Sequence, residues 1–205
     1  MHTAAPFVLP EGIRPAISRE AMAALPLRRY EGPVCVVATC TELDNALADI
    51  RQETVVGFDT ETRPAFRKGE RYHPALVQVA TARAVYLFQL RRVDVIPGLA
   101  DMLADARIVK AGVAVARDLA DLKEVFAFAE KNVIDLGVIG RKYGLEQSGV
   151  RNLAGIFLGC RITKGARTSN WAATMLTPAQ VSYAATDAWI GRELYQCFRR
   201  LGLVR

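Results

Sequence analysis

The chain has 205 residues, 51% of them apolar and 23% charged, with 27 basic side chains against 21 acidic ones. That length and apolar fraction suit one domain with a full core and exclude a disordered chain, and no apolar run is long enough to cross a bilayer. The net charge of +6 permits a polyanionic partner without naming one.

Residues 1–33 carry five prolines and read as an irregular extension, with one short helix around residues 18–25. The domain proper begins at residue 34 and runs to 205, opening on a strand at 34–38. Residues 41–44 resemble a helix start, followed by an apolar stripe of Leu43, Ala46, Leu47 and Ile50. Residues 55–58 are a buried-strand run that ends in Asp59-Thr60-Glu61. Two further strands, 75–81 and 84–90, are joined by a short turn and predict a hairpin. The pattern then alternates: helix 97–106, strand 107–110, helix 116–129, strand 133–136, and helices near 136–143, 150–158 and from 177 onward. Thr177 suits the N-cap of the last helix, with Pro178 as its first residue, Gln180 as capping-box partner and Gly202 at its end. Hairpin-linked strands followed by helix–strand–helix units predict an α/β fold with a mixed sheet covered by helices.

The cysteines, Cys35, Cys40, Cys160 and Cys197, form no C-x-x-C pair, and the only histidines are His2 and His73. A structural zinc site is therefore not expected, and a histidine-based hydrolase is disfavoured. With no recognisable export signal, reduced thiols and a cytoplasmic location are expected. The basic surplus is uneven. Arg141, Lys142, Arg151, Arg161, Lys164 and Arg167 face Glu146 alone, and Arg63, Arg67, Lys68 and Arg71 face Glu70 alone. Arginine supplies 21 of the 27 cations, which suits phosphate contact, although on charge alone solvated loops are the better explanation.

Four carboxylates admit both an ordinary and a chemical explanation. The ordinary one is a strand end in solvent for Asp59 and Glu61, an amphipathic helix boundary for Asp187 and a dipole-favoured first turn for Asp118. Residues i and i+2 of a strand share a face, so Asp59 and Glu61 lie side by side. Adjacent anions near a core repel unless a cation joins them, and a divalent metal that prefers oxygen is the natural partner. Tyr183 and Asp187 share one helix face at a spacing of four, and that face continues inward through Ile190, Gly191 and Leu194. Asp118 stands near a helix start after a short strand and the Gly112 turn, and Asp121 falls on a different face.

Asp59-x-Glu61, then Asp118, then Tyr183-x-x-x-Asp187 resembles the DEDDy signature of 3′-5′ exonucleases. Flanking segments agree: Val-Val-Gly-Phe-Asp-Thr-Glu, Pro74-Ala-Leu-Val-Gln-Val, Lys110-Ala-Gly-Val and Thr168-Ser-Asn-Trp171. The set is most similar to the ribonuclease D group, and within it to the Werner-type exonuclease domain, over about residues 34–201. The resemblance implies a ribonuclease H-like fold, with a mixed five- to six-stranded sheet flanked by helices. It also implies hydrolysis of phosphodiester bonds from a free 3′ end of nucleic acid, DNA favoured, with release of nucleoside 5′-monophosphates. Two ions, Mg²⁺ or Mn²⁺, would be held by Asp59, Glu61, Asp118 and Asp187, with Tyr183 orienting the attacking water. Lys164 and Arg167 are candidates for the substrate backbone, and Thr60 for the terminal nucleotide. The chain departs from the pattern in two respects. An aromatic found shortly after the second-motif aspartate is absent, Ala120 and Leu122 occupying that stretch, and the helical domains and helicase of larger relatives are missing. A stand-alone exonuclease is therefore expected, with an RNA-trimming exoribonuclease or a silent nucleic-acid-binding module as alternatives.

Overall fold

The computed structural model describes residues 7–204. The apolar runs become strands β1 (Val34–Val36), β2 (Val55–Thr62), β3 (Pro74–Ala80), β4 (Val85–Gln89), β5 (Val109–Gly112) and β6 (Val133–Asp135). They form one sheet in the order β1-β4-β3-β2-β5-β6. β3 is antiparallel to both β2 and β4 while every other pairing is parallel, so β3 alone runs against the rest. This is the mixed sheet expected, at six strands.

Strand alternation sends side chains to two helical layers. Val56, Phe58, Val77 and Val79 pack with α2 (Cys40–Ile50), α3 (Ile96–Ala104) and α4 (Val115–Lys123). On the other face, Leu76, Ala80 and Leu87 pack against Ala184, Ala185 and Ala188 of α7 (Pro178–Arg200). That layer also holds α5 (Leu136–Lys142) and α6 (Val150–Leu158). The N-terminal segment is strapped onto this second layer. It contains α1 (Arg19–Ala24), and the amide of Tyr30 donates to Thr186 Oγ1 at 3.0 Å. Arg161 N–H donates to the Pro26 carbonyl and Arg28 N–H to the Arg161 carbonyl, so residues 26–28 run beside the end of α6.

Three of the boundaries that differ from expectation have a visible cause. α2 begins at Cys40 because Thr39 caps it: its hydroxyl accepts from Glu42 N–H, and Glu42 reaches back to the Thr39 amide. β5 lies two residues later than 107–110, because Arg107 is held by Asp105 in the preceding turn and Val109–Gly112 carry the pairing. α4 stops at Lys123, after which Phe126 turns into the core against Phe128. The α7 start matches expectation, with a complete Thr177–Gln180 capping box behind Pro178. The four cysteines are free thiols, and among the described residues no helix is long and apolar enough to cross a membrane.

What fixes the chemistry is how closely α7 approaches the sheet. A Cβ at Gly57 would lie 1.9 Å from the Ala188 carbonyl oxygen, and one at Gly191 would lie 3.0 Å from that of Ala111. Helix and strand backbones thus touch where other residues would hold them apart. Gly57→Ala is expected to destabilise the fold by about 3 kcal/mol, the upper range for forced overpacking, read as a lower urea midpoint at unchanged m-value. Gly191→Ala should cost less.

Candidate active site

Asp59 and Glu61 stand near the C-terminal end of β2, and α7 brings Asp187 against them. Each of the three offers a carboxylate oxygen, and these atoms lie within 4.8 Å of one another. Glu61 and Asp187 are buried, while Asp59 keeps part of its surface open. The alternation of β2 explains the grouping: Asp59 and Glu61 share the α7-facing side with Gly57, whereas Thr60 points toward α4.

Asp118, in the first turn of α4, is therefore placed differently from the other three. Its carboxylate accepts a hydrogen bond from the Thr60 hydroxyl at 2.9 Å, and the Thr60 amide donates to Asp59 Oδ1 at 2.9 Å. Thr60 thus holds one acid through its backbone and another through its side chain. The turn into α4 is tight: a Cβ at Gly112 would meet the Phe58 carbonyl oxygen at 2.3 Å, and Ala114 is left-handed at φ 65°. Asp121 stays outside the cluster, paired with Arg71 at 2.8 Å.

Crowded burial raises every one of these carboxyls. Desolvation lifts Asp59 well above the carboxylate range, with the charges of Asp118, Asp187 and Glu61 adding to it. Glu61 is pushed up to about 9 by burial, then by Asp187 and Asp118, against Arg167. Asp187 rises to about 7 through burial, opposed by the Tyr183 hydroxyl and Arg151. Asp118 rises to about 6 for the same first reason, opposed by the Thr60 hydroxyl. Tyr183 is driven far above its ordinary value by burial and the surrounding acids, so its proton stays on the phenol. Oxygen donors this close, each resisting ionisation alone, fit a hard divalent cation.

The cations divide unevenly. Lys164 and Arg167, with Arg151 at the start of α6, line a cleft of about 320 Å³ that also contains Tyr183 and Asp187. Arg141, Lys142 and Arg161 lie elsewhere, engaged by Ser148, the Phe7 ring and the Leu25 carbonyl. In sequence Arg151 is one of the basic cluster, spaced like its neighbours, and only the packing of α6 against α7 brings it to the cleft beside Asp187. Trp171 is fully buried, as a core residue, and its indole donates to the Arg167 carbonyl at 3.4 Å. The Gln180 amide donates to Asn170 at 3.2 Å. These contacts anchor the loop that carries Lys164 and Arg167.

The family model of 3′-5′ exonucleases matches residues 34–202. The chain is 34% identical over 154 residues to the mouse bifunctional 3′-5′ exonuclease/ATP-dependent helicase WRN, covering 72% of this chain and 11% of that protein. It is 31% identical over 172 residues to ribonuclease D of Gluconacetobacter diazotrophicus, covering 82% and 42%. The chain thus spans less than half the length of these two relatives. Among solved structures, the Nibbler EXO domain of Aedes aegypti superimposes with a TM-score of 0.74 at 23% identity, covering 87% of this chain and 92% of that one. The fold is ribonuclease H-like. The chain belongs to the 3′-5′ exonuclease family.

The raised carboxyls set a pH dependence. Their folded pKa values lie above the unfolded values near 4, so without metal the native state holds extra protons across this window. The stability they contribute is present at low pH and is lost as pH rises through about 6 to 9. Protein treated with EDTA should therefore melt a few degrees lower at pH 8 than at pH 6, at about 2–4 °C per kcal/mol. Mn²⁺ should narrow the gap, and Glu61→Gln should flatten the slope in differential scanning calorimetry.

Proposed function

We propose that this chain is a divalent-metal-dependent exonuclease that removes nucleoside 5′-monophosphates from the 3′ end of nucleic acid, DNA favoured. The observation that carries this reading is the meeting of Asp59, Glu61 and Asp187 within 4.8 Å beside a cationic cleft. Asp59, Glu61 and Asp187 would hold one Mg²⁺ or Mn²⁺, with Asp59 and Asp118 serving a second. When bound, such ions activate water and neutralise charge on the attacking and leaving oxygens of a phosphodiester.

The chain's own residues supply the rest. Tyr183 keeps its proton, so its hydroxyl orients the nucleophilic water rather than taking a proton from it. Arg167, Lys164 and Arg151 line the cleft, where guanidinium and ammonium groups would hold phosphate oxygens. Thr60 fixes the carboxylates on either side of β2, which is a positioning role. DNA is favoured because the flanking segments agree best with the Werner-type domain. The ribonuclease D relative supports RNA as the second reading.

Digestion of 5′-labelled single-stranded DNA, recessed duplex DNA and RNA with Mg²⁺ or Mn²⁺ tests both readings. A ladder of DNA products that retain the label, with free 5′-monophosphates, is expected. Shortening of RNA alone overturns the DNA preference, and intact substrates throughout overturn the exonuclease. Asp59→Ala with Glu61→Ala should abolish activity in a folded protein. Tyr183→Phe should lower kcat by about 10²-fold, the scale of a misoriented nucleophile.

A further inference from the structure

The loop between β2 and β3, residues 63–73, leaves the sheet directly after Glu61 and Thr62. It carries Arg63, Arg67, Lys68 and Arg71 against Glu70, and Phe66 among them. Phe66 is 82% exposed. Phe7, the other exposed phenylalanine among the described residues, is covered by Tyr143 and Lys142. Phe66 makes no such ring or cation contact among the described residues. A single exposed apolar side chain is ordinary on a protein surface, so exposure alone decides nothing.

The setting decides it. The two stems of the loop are held together by the Arg63 guanidinium over the Tyr72 ring, 4.8 Å from its centroid. Arg71 pins the loop to α4 through Asp121 at 2.8 Å, one helical turn beyond Asp118. Glu70 folds back on a tight turn, where Gly69 has φ 89°. Its amide donates to the Arg67 carbonyl at 3.2 Å, and its carboxylate accepts from Arg67 N–H at 3.4 Å. The only acid of the loop is thus turned onto the backbone. Phe66, Arg67 and Lys68 are left exposed on a loop braced at both ends. That loop borders the carboxylate cluster through β2 and α4, whereas Arg151, Lys164 and Arg167 line it from α6 and the segment before α7.

We infer that this loop is a binding element for single-stranded nucleic acid, with a base stacking on Phe66 and phosphates held by Arg67 and Lys68. The inference rests on the exonuclease reading and names how the strand is gripped. An exposed ring between cations is the surface that single strands use without regard to sequence, because every base has a π-face while the backbone needs positive charge. Such a platform beside the carboxylates suits a strand whose terminal bases are already unpaired.

The test is fluorescence anisotropy of a labelled 12-nucleotide DNA in EDTA, where metal-dependent cleavage is stopped. Phe66→Ala should weaken binding by about 5- to 150-fold, the loss of one stacked base, and Phe66→Trp should restore it. Oligonucleotides with an abasic position moved along the strand should include one that binds wild type as weakly as Phe66→Ala binds the intact strand. That strand should lose nothing further in the variant. Equal affinity of wild type and Phe66→Ala overturns the inference, as does an equal loss on intact strand and on every abasic strand. A changed sedimentation coefficient for Phe66→Ala at unchanged DNA affinity overturns it in favour of a protein-binding face. If wild type digests 3′ ends while Phe66→Ala binds like wild type, the inference falls alone. If wild type neither binds nor digests, the exonuclease reading falls with it.

Discussion

Carboxylates gathered around the end of one strand repel each other, and burial makes each of them harder to ionise. The rest of the molecule is arranged to force that gathering. Gly57 and Gly191 let α7 lie on the sheet, which carries Asp187 to Asp59 and Glu61. Gly112 and the left-handed Ala114 turn the chain sharply from β5 into α4, which carries Asp118 to Thr60. Both devices are set by backbone clearance, since a Cβ at Gly57 or Gly112 would strike a carbonyl oxygen of the neighbouring element. The fold thus tolerates local repulsion at the place where a divalent cation would relieve it.

The same constraint gives the charge of the chain a meaning. A net +6 over 205 residues is mild, and several of its cations are spent on local contacts to Ser148, the Phe7 ring, Asp105 and Asp49. Those left near the carboxylates stand in two groups, on the β2–β3 loop and around Tyr183. A phosphate approaching unscreened carboxylates is repelled. Divalent charge bound there would neutralise them and leave the surrounding guanidinium groups to set the sign of the field. Position relative to the cluster therefore matters more than the total.

The apolar runs, the hairpin at residues 81–84 and the capping box at Thr177 made the sheet and the last helix readable, because each is written in adjacent residues. The Tyr183–Asp187 spacing and the Asp59–Glu61 alternation were readable for the same reason. The early end of α4 and the late start of β5 were not, since Phe126 leaves the helix for the core and Arg107 is held by Asp105. Arg151 could not be told from Arg141 by spacing, because the distinction arises only when α6 docks on α7. Thr60, a candidate for the terminal nucleotide by resemblance, also links Asp118 through its hydroxyl and Asp59 through its amide. Long-range pairing of that kind leaves no trace in a local pattern.

The donor set is consequently unequal. Three carboxylates converge from β2 and α7, whereas Asp118 arrives from the opposite helical layer and is held by a hydroxyl. The convergent three are the donors that one cation would share between β2 and α7, each of them raised by burial. A second ion that drew on Asp118 would compete with the Thr60 hydroxyl for its carboxylate. The asymmetry follows from the strand itself: residues 59 and 61 must face one layer, residue 60 must face the other, and the fourth acid reaches the cluster from the side that Thr60 faces.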